Sequence, residues 1–115
     1  MAHFDTTLKQ LFLPTLPSFA KKAFQLDIQN FQELNPELPT TLQRNPDFLA
    51  HIELANHQNA LLHVEFQAQN HPQIYARMLE YLALLFRKYT LPIYQFVLYL
   101  GNEPLTMPNS LSLPN

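Results

Sequence analysis

The stretch PDFLAHIELANHQNALLHVEFQ, residues 46 to 67, decides the fold because it holds two strand-like runs on either side of a polar turn. Apolar side chains recur there at even positions, namely Phe48, Ala50, Ile52 and Leu54 in the first run and Leu62, Val64 and Phe66 in the second. A period of two residues predicts strands with one apolar and one largely polar face. The segment ANHQN (55–59) supplies the reversal, so the whole stretch predicts a β-hairpin.

The register of this hairpin places polar residues of both strands on one face. Antiparallel partners share a face, and both apolar sets must point into the same core, so even positions lie opposite even positions. The polar residues of the odd-numbered face are Asp47, His51, Glu53, His63, Glu65 and Gln67. A five-residue loop would pair Asp47 with Gln67, whereas a three-residue loop would place Asp47 opposite Glu65. In either register two carboxylates come within reach of one cation.

Short elements are predicted on the N-terminal side of the hairpin. Residues 3 to 13 have an apolar stripe at helical spacing and predict a short helix that Pro14 closes. A second short helix is predicted over residues 18 to 26, with Ser18 as its N-cap. Residues 28 to 34 predict a strand, which ends where prolines and an asparagine favour a turn.

After the hairpin the hydrophobic period changes to that of a helix. Residues 71 to 91 predict a helix with Pro72 in its first turn and Pro92 just past its end. Residues 93 to 101 form a nearly all-apolar run, which is typical of a strand in the buried middle of a sheet. A helix between two strands implies a crossover, so this element order predicts an α/β fold with a mixed sheet.

Length and composition limit the classes of protein that the chain can represent. The 115 residues suffice for one domain, expected over residues 1–101, followed by a flexible or truncated C-terminal tail at 102–115. A net charge of -2 argues against nucleic-acid binding through bulk charge, and the absence of cysteine excludes thiolate metal sites. No apolar run reaches the ~18 residues that span a bilayer, and the N-terminus lacks a secretion signal, so a cytoplasmic location is expected.

Two close carboxylates repel each other, so the placement of Asp47 and Glu65 on one face requires a reason in the form of a compensating interaction. A hard divalent cation such as Mg²⁺ supplies one, because it takes one or two carboxylates and keeps several waters. The alternative is that both acids are exposed strand residues on a solvated face. His51 and His63 lack the spacing of zinc ligands and are more typical of hydrogen-bonded structural residues.

Several phrases of the chain resemble one family of nucleases. Pro46-Asp47, followed on the next strand by Glu65-Phe66-Gln67, resembles the PD-(D/E)XK core. The resemblance is closer to the recombination-promoting nuclease and transposase group of that superfamily. It is carried by FDTTLKQLF (4–12), RNPDFL (44–49), LLHVEFQ (61–67), YARMLEY (75–81) and PIYQFVLYLG (92–101). It implies an αβββαβ restriction-endonuclease-like core with a mixed central sheet flanked by helices.

The resemblance also implies a function and a set of site residues. The expected activity is metal-dependent hydrolysis of DNA, linked to recombination or mobile elements, with Mg²⁺ or Mn²⁺ as the cofactor. Asp47 and Glu65 would be metal ligands, joined by the main-chain carbonyl of Phe66. Gln67 stands where the superfamily has lysine, and a neutral amide donates hydrogen bonds without supplying that positive charge. Arg77, on the following helix, is the expected substitute.

A second interpretation belongs to a different functional class. The missing lysine and the net negative charge also suit a degenerate nuclease fold that acts as an interaction or self-association module. A homodimer is expected in either case, because the chain is small and rich in tyrosine and phenylalanine, and because the family often acts on DNA duplexes through paired subunits.

Overall fold

The computed structural model describes residues 10–38 and 45–107, in which a four-stranded sheet is covered by helices on both faces. The helical elements are a 3-10 turn (Leu13–Thr15), α1 (Leu16–Phe24) and α2 (Ile74–Tyr89). The strands are β1 (Ile28–Glu33), β2 (Phe48–Leu54), β3 (Asn59–Gln67) and β4 (Ile93–Tyr99). This arrangement confirms the predicted α/β class.

The strands lie in the order β1-β2-β3-β4 and form one mixed sheet. β1 and β3 both pair with β2 in antiparallel fashion, and β4 pairs with β3 in parallel. The parallel pair requires a crossover, and α2 provides it between β3 and β4. The mixed sheet expected from the element order is therefore present.

The turn of the β2–β3 hairpin resolves the register that the sequence left open. The His57 N–H donates to the Leu54 carbonyl at 2.8 Å, and the Leu54 N–H donates to the Gln58 carbonyl at 2.9 Å. His57 has a φ of 68°, the left-handed residue that ends a three-residue hairpin loop. Phe48 consequently lies opposite Val64.

His57 carries a conformation that is costly for a residue with a Cβ atom, which leads to a stability prediction. We expect His57→Gly to raise the free energy of unfolding by up to about 1 kcal/mol, because glycine adopts positive φ without a steric penalty. The His57 side chain is 89% exposed and lies 3.7 Å from Glu53, so little else is lost with it. Urea denaturation measures the change, and a destabilised variant would contradict this account.

The even-numbered face of the hairpin packs against the N-terminal helices, as the periodicity predicts. Leu16 and Ala20 of α1 are fully buried on this face. Phe12 contacts three strand aromatics at centroid distances of 5.5 to 6.5 Å. The strand residues of this core are Ile28, Phe48, Ala50, Ile52, Leu54, Ala60, Leu62, Val64 and Phe66. One apolar side of the sheet thus forms the larger of the two cores.

Part of the odd-numbered face is also buried, which the alternation alone did not predict. Leu49 and Leu61 pack there against Tyr81 and Leu85 of α2. The buried residues of α2 are Ile74, Met78, Tyr81 and Leu85, a spacing that forms one stripe along a helix. Since a crossover helix must lie on one face of its sheet, α2 covers this largely polar face around Leu49 and Leu61.

β4 is an edge strand, so its predicted place in the middle of the sheet is wrong. All seven of its residues are half-buried, whereas seven of the nine β3 residues, from Ala60 to Phe66, are buried. β2 already occupies one side of β3, so a strand returning from α2 pairs on the other side and becomes the edge. The apolar sequence of β4 reflects helices packed over both faces rather than neighbours on both edges.

Several helix boundaries differ from those predicted. Residues 10–12 are helical and Pro14 lies in the 3-10 turn that joins them to α1, because proline is tolerated where the first N–H groups of a helical turn have no partner. Thr15, rather than Ser18, is the N-cap of α1. Pro72 precedes α2 instead of lying in its first turn. The part of the first predicted helix over residues 3–9 lies outside the described residues.

The segment predicted as a tail begins with hydrogen bonds to the loop after β3. Asn70 Nδ2 donates to the Pro104 carbonyl at 3.1 Å, and Asn70 Oδ1 accepts the Thr106 N–H at 2.7 Å. Residues 108–115 lie outside the described residues. Among the described residues, no helix is both long enough and apolar enough to cross a membrane.

Candidate functional site

The hairpin register brings Asp47 and Glu65 together at one end of β2 and β3. The Asp47 main-chain N–H donates to Glu65 Oε2 at 2.8 Å, and the Phe66 N–H donates to Asp47 Oδ2 at 2.9 Å. Each carboxylate therefore accepts a main-chain hydrogen bond from the opposite strand. This reciprocal arrangement defines the carboxylate pair, the name used below for Asp47 and Glu65.

The two acids of the carboxylate pair differ in burial. Glu65 is fully buried, whereas Asp47 is half-buried. A buried carboxylate is costly unless hydrogen bonds replace its lost water. Glu65 Oε2 obtains them from the Asp47 N–H and from His63 Nε2, which lies 3.0 Å away. The prediction that these acids lie on one face is confirmed, and the alternative of two solvated carboxylates is wrong for Glu65.

His63 is a hydrogen-bonded structural residue, as its sequence context favoured. Its side chain has no exposed surface, and the edge of its ring meets Tyr81 at a centroid distance of 5.0 Å. Nδ1 lies 3.0 Å from Nε2 of Gln95, so both ring nitrogens contact protein atoms. His51 lies further along β2, opposite Leu61, and takes no part in this network.

Gln67 and Arg77 both line a cavity of about 420 Å³, and neither acid of the carboxylate pair is among its described lining residues. Its described lining consists of Phe66, Gln67, Ala68, Gln69, Asn70, His71 and Arg77. Arg77 Nη2 lies 3.0 Å from His71 Nε2, and the Gln73 N–H donates to His71 Nδ1 at 3.1 Å. Phe66 links the cavity to the pair, because its N–H binds Asp47.

The carboxylate pair suits some metal ions better than others. Mg²⁺ binds proteins through one or two carboxylates and retains several waters, a requirement that two acids on adjacent strands satisfy. Structural zinc requires four protein ligands. Within residues 10–38 and 45–107, no group of three His, Asp or Glu side chains converges. The carboxylate pair therefore offers the type of donor that Mg²⁺ takes, without a third acidic or histidine ligand among the described residues.

Two residues of the site were missed by sequence reasoning. Gln95 lies on β4, and its polar side chain within the apolar run IYQFVLYL (93–100) was the signal that could have found it. His71 lies in the loop before α2, and no spacing in the sequence distinguishes it. Both reach the site through the β3–α2–β4 crossover, which brings together residues that are far apart in the chain.

The fold and the site together define an α/β protein with a carboxylate pair across two antiparallel strands. Comparisons with protein-family models, curated proteins and solved structures found no match. Its function is therefore inferred from the residues of the site.

Proposed function

We propose that this protein is a metal-dependent DNA endonuclease with a restriction-endonuclease-like core. Asp47 and Glu65 hold Mg²⁺ or Mn²⁺, and the main-chain carbonyl of Phe66 is a further ligand. The observation that carries the proposal is the carboxylate pair, held by reciprocal hydrogen bonds at 2.8 and 2.9 Å next to a cavity that contains an arginine. The order β-β-β-α-β, with β3 and β4 parallel, is compatible with the proposed core.

Residues of the cavity would contact the DNA substrate in this reaction. Asp47 and Glu65 would hold a metal ion, which would supply an activated water and offset the charge that develops on the phosphoryl group. Arg77 places a permanent positive charge in the cavity, where its guanidinium binds phosphate oxygens of the DNA backbone. Gln67 lines the same cavity and donates a hydrogen bond from its amide, so Arg77 supplies the charge that the missing lysine would carry.

Metal binding and DNA cleavage together test the proposed function. Titration calorimetry with Mn²⁺ should show one site of submillimolar to millimolar affinity, and plasmid DNA should be cut when Mg²⁺ or Mn²⁺ is added. Chelation of the metal should stop the reaction. A protein that binds no Mn²⁺ at millimolar concentration and leaves plasmid DNA intact would overturn the proposal.

The role of Arg77 leads to a separate prediction. We expect Arg77→Gln to lower the rate of DNA cleavage by about 100-fold, because removing one group that stabilises transition-state charge typically has an effect of this size. Arg87→Gln is the matched control, since Arg87 is an exposed arginine in the last turn of the same helix. Equal loss in both variants would mean that Arg77 contributes only to general attraction of DNA.

A second function is supported by a specific observation. Glu65 is fully buried, and its Oε2 accepts hydrogen bonds from His63 and from the Asp47 N–H, so groups of the protein itself already satisfy this oxygen. With Gln67 in place of lysine, this suits a degenerate nuclease fold that serves as an interaction or self-association module. Absence of Mn²⁺ binding, together with a homodimer in sedimentation, would favour this function over the endonuclease.

A further inference from the structure

His63 lies fully buried between the carboxylate pair and the edge strand. Nε2 is 3.0 Å from Glu65 Oε2, and Nδ1 is 3.0 Å from Gln95 Nε2. A neutral imidazole has one nitrogen that donates and one that accepts, so its two partners decide which nitrogen carries the hydrogen. Gln95 is the partner whose orientation can be fixed independently.

The main-chain carbonyl of Met78 in α2 fixes the amide of Gln95. Gln95 Nε2 donates to this carbonyl at 2.9 Å. If the amide were reversed, its oxygen would face the Met78 oxygen, and two acceptors would meet without a hydrogen between them. The amide nitrogen therefore also faces His63, and because this nitrogen only donates, His63 Nδ1 accepts. The ring hydrogen then lies on Nε2 and points at Glu65.

We propose that His63 is a positioning residue that holds the Glu65 carboxylate opposite Asp47. Glu65 Oε2 accepts from His63 Nε2 and from the Asp47 N–H at 2.8 Å, so two donors from different strands fix its position. Gln95 and the Met78 carbonyl select the tautomer, which links β4 and α2 to the carboxylate through one ring. The consequence for a metal ion rests on the proposed function, because outer partners of a ligand orient it for binding.

The tautomer can be measured without metal or DNA. Nitrogen-15 NMR of histidine-labelled protein distinguishes protonated from unprotonated ring nitrogens, and His63→Gln assigns the signals. We expect Nε2 of His63 to show the shift of a protonated nitrogen and Nδ1 that of an unprotonated nitrogen. A hydrogen found on Nδ1 would overturn the proposal.

Exchange of the Asp47 amide hydrogen measures the position of Glu65 directly. In His63→Met, which has no donor, we expect this hydrogen to exchange about 10-fold faster, the effect of losing one charge-assisted hydrogen bond to its acceptor. His63→Gln should restore slow exchange, because its amide nitrogen can donate to Glu65. The Ala55 N–H, which donates to the Asp27 carbonyl at 2.8 Å beyond the other end of β2, should be unchanged.

Gln95→Met keeps the test decisive if His63→Met does not fold. It removes the donor to Nδ1 from a half-buried strand position, and faster exchange at Asp47 is again expected. Unchanged exchange in the folded variants would overturn the positioning role. Mn²⁺ affinity should fall about 10-fold in the same variants and recover in His63→Gln. A wild-type protein that binds no Mn²⁺ would instead overturn the proposed function, while the tautomer and exchange results still decide the role of His63.

Discussion

Asp47→Asn is expected to reduce metal-dependent DNA cleavage by at least about 100-fold, because losing a proposed ligand should cost no less than losing one of its outer partners, which costs up to about 100-fold. The substitution removes the negative charge from the more accessible member of the carboxylate pair. In the native protein the Phe66 N–H donates to Asp47 Oδ2 at 2.9 Å. The asparagine keeps an oxygen that can accept this hydrogen bond, so the strand ends remain joined. Plasmid cleavage with Mn²⁺ measures the loss of activity, and calorimetric titration measures the loss of metal binding.

Glu53→Gln is the matched control for this substitution. Glu53 lies on the same face of β2 at the end near the hairpin turn, where its partly exposed carboxylate accepts a hydrogen bond from Asn30 at 3.0 Å. It should cut DNA at the wild-type rate. If folded Asp47→Asn also cuts DNA at that rate, the carboxylate pair is not the metal site. The interaction-module function would then be better supported than the endonuclease.

Leu49→Ala and Leu62→Ala are each expected to lower the free energy of unfolding by about 2–5 kcal/mol, the usual cost of removing a buried leucine side chain. The two residues lie on opposite faces of the sheet and are 1% and 0% exposed. Leu62 packs in the core with α1, and Leu49 packs against Tyr81 of α2. Similar losses are therefore expected from both sides, measured by urea denaturation.

A sheet covered on one face only would give a different result. Leu49→Ala would then cost within about 0.5 kcal/mol, as substitutions at exposed positions usually do. Leu79→Ala serves as that reference, because Leu79 of α2 is 38% exposed. A small effect at Leu49 together with a large effect at Leu62 would contradict the packing of α2 on the odd-numbered face.

Much of the hairpin could be predicted because strand geometry is local. The alternation from Phe48 to Phe66 specifies the strands, and the requirement for one apolar side puts Asp47 and Glu65 on the same face. The sequence left two hairpin registers possible, one with a three-residue loop and one with a five-residue loop. The choice depended on His57 adopting a φ of 68°, a conformation uncommon for residues other than glycine. Neither loop length nor composition specifies that conformation.

The surroundings of the carboxylate pair could not be predicted from the pattern of the strands. His63 and Glu65 are polar residues that alternate with apolar ones, which is also the pattern of a solvated face. Both side chains are fully buried, and Tyr81 of α2 contacts the His63 ring. His63 in turn contacts Gln95, which lies 32 residues further along the chain. Such contacts depend on how the crossover places α2 and β4, which a local period does not encode.

The sequence by itself determined the α/β class, the hairpin, the long helix and the shared face of Asp47 and Glu65. These follow from backbone periods and from the need to bury one apolar side. The tertiary structure decided that Asp47 lies opposite Glu65, that α2 covers part of the polar face and that β4 is the edge of the sheet. It also decided that Gln95 meets His63, because the partner of a buried polar group depends on which distant elements pack together.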